Sequence, residues 1–335
     1  MYLAKLTNSG ELDSGFDSDG IRDFGGSVGL TPSQGLYHSA TDTFLIAGKD
    51  GSNFYPWVYR FNADGSDDNS FGAGTNISSA DAGVNYTVLN DANFSVYDMV
   101  QLNSGDIYLI GGYFDTYNKA ALIKMDADGL IDTGFGSSGI QTFDQGSAHV
   151  GFTGATDGTS IYILSKDTSS QTASVIKVNA AGSLDSSFAD DGLLALNSYE
   201  ISATSTSSMQ TDSSGDLWIQ VSKNGSQESM VKLTSNGVFD SSFVNAGSTQ
   251  FSHGVFNWGS IAGFALTASD EALLFGTTNN DFTLVTMSAI GEVNNHDNQI
   301  VFDHGYGEHA LAIALDAYSG PILAGYGRNL TDYDD

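Results

Sequence analysis

Cysteine is absent from the 335 residues, which removes disulfides, thiolate catalysis and cysteine-ligated zinc together. Basic residues are scarce: 11 Lys and Arg stand against 40 Asp and Glu, a formal charge of −29. Such a field repels a phosphate backbone, so no nucleic-acid partner is expected. Proline is nearly missing, with 3 residues, whereas 40% of the chain is hydrophobic and 11% aromatic. That make-up supplies a core and argues against disorder. No apolar run approaches 18 residues, and the opening MYLAKLTNSG lacks the basic start and apolar middle of a secretory leader. No membrane insertion is therefore expected. An acidic, Lys-poor, Gly- and Ser-rich chain suits a salty exterior, so the expected location is extracellular or at the cell surface.

What is present is a repeat. The phrases TNSGELDSGFDSDG, NADGSDDNSFGAG, DADGLIDTGFGSSG, NAAGSLDSSFADDG and TSNGVFDSSFVNAG surround Gly10, Gly65, Gly129, Gly182 and Gly237, with a degenerate sixth copy, SAIGEVNNHDNQ, at Gly291. Successive glycines lie 55, 64, 53, 55 and 54 residues apart, the period of a propeller blade. A short apolar run precedes each glycine (YLAKL, WVYRF, ALIKM, SVIKV, MVKL, TLVTM), and another follows each phrase (IRDF, TNI, IQTF, LLAL, STQF, QIVF). Both read as strands. Between phrases lies a hairpin pattern, as in MVQLNSGDIYLIGG at 99–112, SMQTDSSGDLWIQV at 208–221 and ALDAYSGPILAG at 314–325. Each period thus holds four strands: A after the phrase, the hairpin B and C, and D before the next phrase. The last hairpin lacks a strand D and the first phrase lacks a hairpin. Placing the N-terminal strand beside residues 322–327 repairs both. The expectation is an all-β, single-domain, six-bladed β-propeller over residues 1–335, closed by its N-terminal strand.

The phrase, following an I-L-V-A-G-like strand, resembles the N-x-D-G-x-L-D-x-S-F-G-x-x-G signature of the delta-60-repeat propeller proteins of bacteria. Five copies match; the sixth has Asn294 for the aspartate and Asp297 for the phenylalanine. The resemblance implies a propeller in a secreted or surface protein and supplies no reaction.

Within the phrase, Thr7, Asn62, Asp126, Asn179, Thr234 and Ser288 stand three before the glycine and are turn formers whose side chains can bond nearby amides. Asp13, Asp68, Asp132, Asp185 and Asp240 stand three after it and are expected to cap amides of the same turn. A calcium site is the alternative for Asp126, Asp128 and Asp132, or for Asp13, Asp17 and Asp19, whose spacing resembles part of a calcium loop. The aspartates recur where their companions do not, so the turn role is preferred and no cofactor is expected. Phe16, Phe71, Phe135, Phe188 and Phe243 should plug the joints between blades. Lys5, Arg60, Lys124, Lys177 and Lys232 share one position in strand D, read as an outer edge where Lys opposes edge-to-edge pairing.

Strand alternation puts the phrases and the B-to-C turns on one face and the A-to-B and C-to-D connections on the other. The second face varies from blade to blade and is the expected binding surface. Its candidate ligand-binding residues are Tyr55, Trp57, Tyr113, Phe114, Asp115, Tyr117, Phe256, Trp258 and Tyr306, since rings stack on sugar C–H faces while amides and carboxylates bond hydroxyls. The alternative is that these rings merely pack long loops. His38, His149, His253, His304 and His309 are assigned to the same side, and Asp303, His304, Glu308 and His309 in DHGYGEH form a candidate divalent-metal set.

The leading functional expectation is a non-catalytic module of a bacterial surface or secreted protein, binding a glycan or another protein (an adhesin-like role). It would act as a monomer or as part of a longer chain. A glycan-active hydrolase or lyase using paired carboxylates is one alternative. A purely structural spacer is the other. A sialidase is disfavoured, because Arg22, Arg60 and Arg328 are the only arginines.

Overall fold

The computed structural model describes residues 2–5, 7, 11–23, 30–38, 42–50, 56–72, 86–88, 93–201, 208–223, 227–250, 261–278, 281–293, 300–302, 307–315 and 321–328. They are strands and turns, with one four-residue helical turn, Val244–Gly247. Contacts divide the chain into two compact units, Met1–Ser165 with Asn179–Ser183, and Lys166–Val178 with Leu184–Asp335.

In the first unit, β1 (Tyr2–Ala4) pairs with β2 (Ile21–Asp23). Two four-stranded antiparallel sheets follow in chain order: β3 (Leu30–His38), β4 (Thr43–Asp50), β5 (Pro56–Asn62) and β6 (Tyr86–Val88), then β7 (Phe94–Gln101), β8 (Ile107–Phe114), β9 (Asn118–Met125) and β10 (Ile140–Phe143). β11 (His149–Thr156) pairs with β12 (Ser160–Asp167). The second unit carries β13 (Thr172–Asn179) paired with β14 (Leu193–Glu200), and β15 (Met209–Thr211), β16 (Leu217–Lys223), β17 (Gln227–Leu233) and β18 (Ser248–Gln250) paired in sequence. It continues with the meander β19 (Ile261–Leu266), β20 (Ala272–Thr278), β21 (Asp281–Met287) and β22 (Ile300–Phe302), and the pair β23 (Gly307–Leu315) and β24 (Pro321–Arg328). The apolar runs IYLIGG and AALI form second and third strands that are buried on both faces, whereas IQTF, a fourth strand, is buried only at its ends.

The phrase joins two strands of one sheet. In all six copies the strand before it pairs with the strand after it. Strand D is therefore the third strand of a sheet, and the strand after the phrase is the fourth and outermost. This corrects the outer-edge reading of Lys5, Arg60, Lys124, Lys177 and Lys232. These cations pair with the phrase aspartates: Lys5 Nζ lies 3.4 Å from Asp13, Arg60 Nε 2.7 Å from Asp68, Lys124 Nζ 3.1 Å from Asp132, Lys177 Nζ 3.2 Å from Asp185 and Lys232 Nζ 3.7 Å from Asp240.

The other carboxylate oxygen caps the turn. Asp13, Asp68, Asp132, Asp185 and Asp240 Oδ1 accept the N–H two residues on, at 2.8 to 3.0 Å. Asp126 and Asn179 Oδ1 each accept two further amides, and Thr7, Thr234 and Ser288 each accept one. Their oxygens are thus committed to amides and cations. Among the described residues no cluster of three acids or histidines could hold a metal.

The phenylalanines form the joints. Phe71 is fully buried between the sheet of β3–β6 and that of β7–β10, against Leu45, Val58, Met99 and Ile123. Its ring lies under the next phrase's glycine: a Cβ on Gly129 would fall 2.5 Å from Phe71 Cζ. Phe135 under Gly182, Phe188 under Gly237 and Phe243 under Gly291 repeat this at 2.6 to 2.9 Å, and Phe16 under Gly65 at 3.1 Å. These five glycines have φ between 79° and 83°, so glycine is required twice over, by backbone and by ring. The residue after the phenylalanine donates its N–H across the same joint: Asp17 to Asp64 O at 2.7 Å, Gly72 to Asp128 O at 2.7 Å, Ala189 to Asn236 O at 2.8 Å and Val244 to Ile290 O at 2.9 Å. The cation adds a third link, from Lys5 to Ala63 O at 3.0 Å and from Lys177 to Ser235 O at 3.3 Å.

First strands share a further device. β3, β7, β19 and β23 each carry a bulge, and the residue before it pairs with Gly48, Gly111, Gly276 or Gly325 of the second strand. At Gly111 a Cβ would lie 1.9 Å from the Ser95 carbonyl oxygen. The glycine near the end of the second strand, preceded or followed by a small residue in three of the four, thus admits the bulged neighbour.

Replacing Phe71 by Ala should cost about 3 to 5 kcal/mol in urea unfolding, whereas Leu12→Ala, at a side chain 46% exposed, should stay within about 0.5 kcal/mol. The Asp185 carboxyl is held below its ordinary value, first by the Ser187 hydroxyl and then by the Ser187 amide. A lowered folded value means that its contribution is complete above the unfolded carboxylate range, about 3.9, and is lost as pH falls through the folded one. The stability difference between the protein and Asp185→Asn should therefore shrink below about pH 4 in urea titrations.

Candidate functional site

The face opposite the phrases is described in most detail where β8 connects to β9 and β10 to β11. Four of the expected residues meet there. Tyr113, the penultimate residue of β8, packs on the core, while Phe114, the last residue of the strand, is 51% exposed. Asp115 opens the connection, its Oδ1 capping the amides of Thr116 and Tyr117, the local chemistry that makes an aspartate start a turn. Its Oδ2 lies 2.8 Å from Lys119 Nζ, and Asp144 Oδ2 lies 3.6 Å from the same nitrogen. Tyr117 donates its hydroxyl to Asp144 Oδ1 at 2.6 Å, which also accepts the Gly146 N–H at 2.9 Å. Lys119 Nζ stands 5.1 Å from the centre of the Tyr117 ring.

Asp144 and Lys119 were not expected in this cluster. Their sequence signal is slight: a lysine in the strand after the loop and an Asp-Gln-Gly turn more than twenty residues further on. The bond from Lys119, followed by the Thr116 amide, holds the Asp115 carboxyl well below the usual carboxylate range. The Tyr117 hydroxyl, then the Gly146 amide, lowers Asp144. Lys119 is raised, first by its bond to Asp115. At neutral pH the cluster is therefore two carboxylates around one ammonium, with an exposed ring beside them. It offers charged and hydroxyl groups for hydrogen bonding and an apolar face for stacking, and neither carboxyl keeps a proton to donate.

A buried staple lies in the same sheet, on β7, where Asp98 stands opposite Ile110 of β8. Asp98, at the bulge of β7, is 5% exposed and accepts four bonds: Gln34 Nε2 of β3 at 2.6 Å, its neighbour Met99 N at 2.7 Å, and Thr153 Oγ1 and Gly154 N of β11 at 2.6 and 2.8 Å. One carboxylate thereby ties three successive first strands. Burial pushes its carboxyl up, and the four donors pull the other way. Sequence inspection missed Asp98 because nothing in YDMVQ marks the bulge that turns it inward. Beside it Tyr97 is 43% exposed, with its ring 6.5 Å from that of Phe152 on β11 and nearly parallel to it.

The remaining expected residues fall elsewhere. Trp57 is corrected from a loop-surface ring to a core residue: it is the second residue of β5, 1% exposed, and packs with Phe16, Ile46, Tyr59 and Phe61. The buried run begins with Pro56, the first residue of the strand, and reaches Phe61 with only Arg60 half-buried, so the loop ends earlier than the sequence suggests. His38 ends β3 at the turn into β4, on the phrase side instead of the variable one. His149 opens β11 on the variable side, 8% exposed, with Nδ1 3.1 Å from Ser147 O. Tyr55, Phe256, Trp258 and Tyr306 lie outside the described residues, as do His253, Asp303 and His304. The backbone of Glu308 and His309 belongs to β23, opposite Gly327 and Tyr326.

No protein-family model matches the chain, and no curated protein matches it in sequence. Among solved structures it is similar to prolyl oligopeptidase B from Galerina marginata, with a TM-score of 0.51 and 10% identity over 96% of this chain and 42% of that one. A quinoprotein alcohol dehydrogenase-like protein from Bacteroides thetaiotaomicron gives a TM-score of 0.44 at 15% identity, covering 85% of this chain and 59% of that one. Oligopeptidase B from Leishmania major gives 0.45 at 10% identity, covering 87% and 36%. The first likeness is one of fold, and the architecture is all-β and propeller-like. The chain spans less than half the length of the Galerina peptidase.

Substituting Lys119 by Met should release Asp115 and Asp144, and their carboxyl midpoints should rise toward the ordinary value in an NMR titration of the side-chain carbons.

Proposed function

We propose that the chain is a six-bladed β-propeller of the delta-60-repeat kind, and that it is a non-catalytic module of a secreted or surface protein of a bacterium, binding a glycan or a protein on the face opposite its phrases. Six phrases support six blades. The pairs β1–β2 and β23–β24 are complementary in kind: the first supplies a third and fourth strand around a phrase, the second a first and second. Closure by two N-terminal strands then replaces the one-strand closure expected from sequence, since β2 stays with β1.

The observation that carries the binding reading is the cluster of Phe114, Asp115, Tyr117, Lys119 and Asp144. An exposed ring beside fixed, ionised polar groups suits recognition of a hydroxyl-rich or peptide ligand. A carboxylate-pair glycosidase needs one acid held protonated beside one that is ionised. Asp115 and Asp144 are both lowered. Asp216 is raised by burial and its neighbour Asp212 is lowered, but the Asp212 side chain is only 2% exposed and is bonded to Lys232, Trp218 and the Asp216 amide. That pair belongs to a turn on the phrase side. The peptidase activity of the structural relatives is not carried to this chain, since the likeness lies in the fold alone.

A glycan array and a screen against purified extracellular-matrix and cell-wall proteins should yield a ligand without turnover. Phe114→Ala should then weaken it about tenfold, the ~1.4 kcal/mol expected for a lost stacking ring. Multiple-turnover hydrolysis of a glycoside or polysaccharide would replace this reading with the enzymatic one.

A further inference from the structure

We propose that the free edge of β14, with the apolar cleft beside it, docks an extended polypeptide segment that alternates basic and aliphatic side chains, by strand addition. The site lies within the second unit, and the inference is independent of the ligand reading above.

The edge follows from the register. β14 pairs with β13 through Ile176 and Leu193, Val175 and Leu194, Ser174 and Ala195, and Ala173 and Leu196. Lys177 donates its N–H to Gly192 O at 2.9 Å. Alternation then turns the amide and carbonyl of Leu194 toward β13 and those of Leu193 and Ala195 away from it. Leu193 uses its outward groups on Asp190, at 3.2 and 3.4 Å. Those of Ala195 meet no strand among the described residues, because β14 touches β16 only through Tyr199 and Glu200. β10, the other fourth strand whose flanks are all described, has four residues, whereas β14 has eight. Proteins protect long edges with Lys, Pro, bulges or brevity. LLALNSYE has no Lys or Pro, and its one bulge lies beyond Leu196, past the residues that line the cleft.

The cleft supplies side-chain recognition. It encloses about 500 Å³ and is lined by Leu193, Leu194 and Ala195 of β14 with Val238 and Phe239 of the following phrase turn. Val238 is 62% and Phe239 36% exposed. Backbone bonding along an edge with a pocket for alternate side chains is how strand-adding peptides are read. Charge selects the occupant: Asp190 lines the cleft, Asp191 is exposed next to it, and the chain as a whole carries −29. A second copy would bring carboxylates against carboxylates, whereas a basic and aliphatic segment meets both the pocket and its rim.

The test is fluorescence polarisation with a labelled peptide, KVKLKVK. Binding is expected, weakened at least about tenfold by Val238→Lys and by N-methylation of one alternate set of peptide amides, while methylation of the other set changes it less than about twofold. The two methylated peptides need no protein variant, so folding does not confound them. No binding at about 1 mM peptide, equal loss with both methylation patterns, or equal binding of KGKGKGK would overturn the proposal. Light scattering that shows a dimer displaced by the peptide would overturn it in favour of a second copy.

Discussion

Everything else in this chain depends on a ring seated against a bare α-carbon. Each phrase phenylalanine reaches the next phrase's glycine so closely that a methyl group there would overlap it, and the neighbouring amide crosses the same joint to a carbonyl of that turn. Burial of one aromatic side chain is worth a few kcal/mol. Placed once per repeat, it converts separate sheets, each with an exposed apolar face, into a stack. The Lys–Asp pair around the phrase is secondary in energy, since it is partly exposed. Its role is geometric: the cation holds the turn's aspartate with its own strand and, at Lys5 and Lys177, reaches the next turn's carbonyl.

Because one face is occupied by this joint, it has little freedom to vary. Of the turn residues spaced like part of a calcium loop, Asp126 and Asp19 bond amides, Asp13 and Asp132 bond an amide and a lysine each, and Asp17 faces Arg22. Variation is left to the opposite connections and to the sheet edges. The cluster around Lys119 arises there from the pairing of β10 with β9: Phe143 stands opposite Ala120, so Asp144, the next residue, comes level with Lys119. Asp98 has a different origin, in the packing of β3 and β11 on either side of β7, which supplies three of its four donors.

The edge of β14 illustrates how a repeat escapes its own rule. In the sheet of β7–β10 the outermost strand stops after four residues, which limits its unpaired backbone. In β14 the strand runs on through Asn197 to pair with β16, and the phrase turn that follows places Val238 and Phe239 beside it. An edge and a pocket then coincide.

From the sequence alone came the repeat, its strands, the turn formers, the capping aspartates and the phenylalanine joints, because each is a local or strictly periodic property: a turn needs its own side chains, and a joint made five times leaves five traces. That Tyr113, Phe114, Asp115 and Tyr117 lie together was legible for the same reason, since they are neighbours in sequence at the end of β8 and the start of its connection to β9. Tertiary structure alone decided which strand the phrase turns back to, and hence that the repeat's cations lie inside sheets and that β2 stays with β1. It also decided that Trp57 is core, that Asp98 is buried among donors from three strands, and that Asp144 joins Lys119. Those outcomes depend on strand register and on contacts between residues dozens of positions apart, and a period of about 54 residues fixes the spacing of such residues without fixing which of their sides face each other.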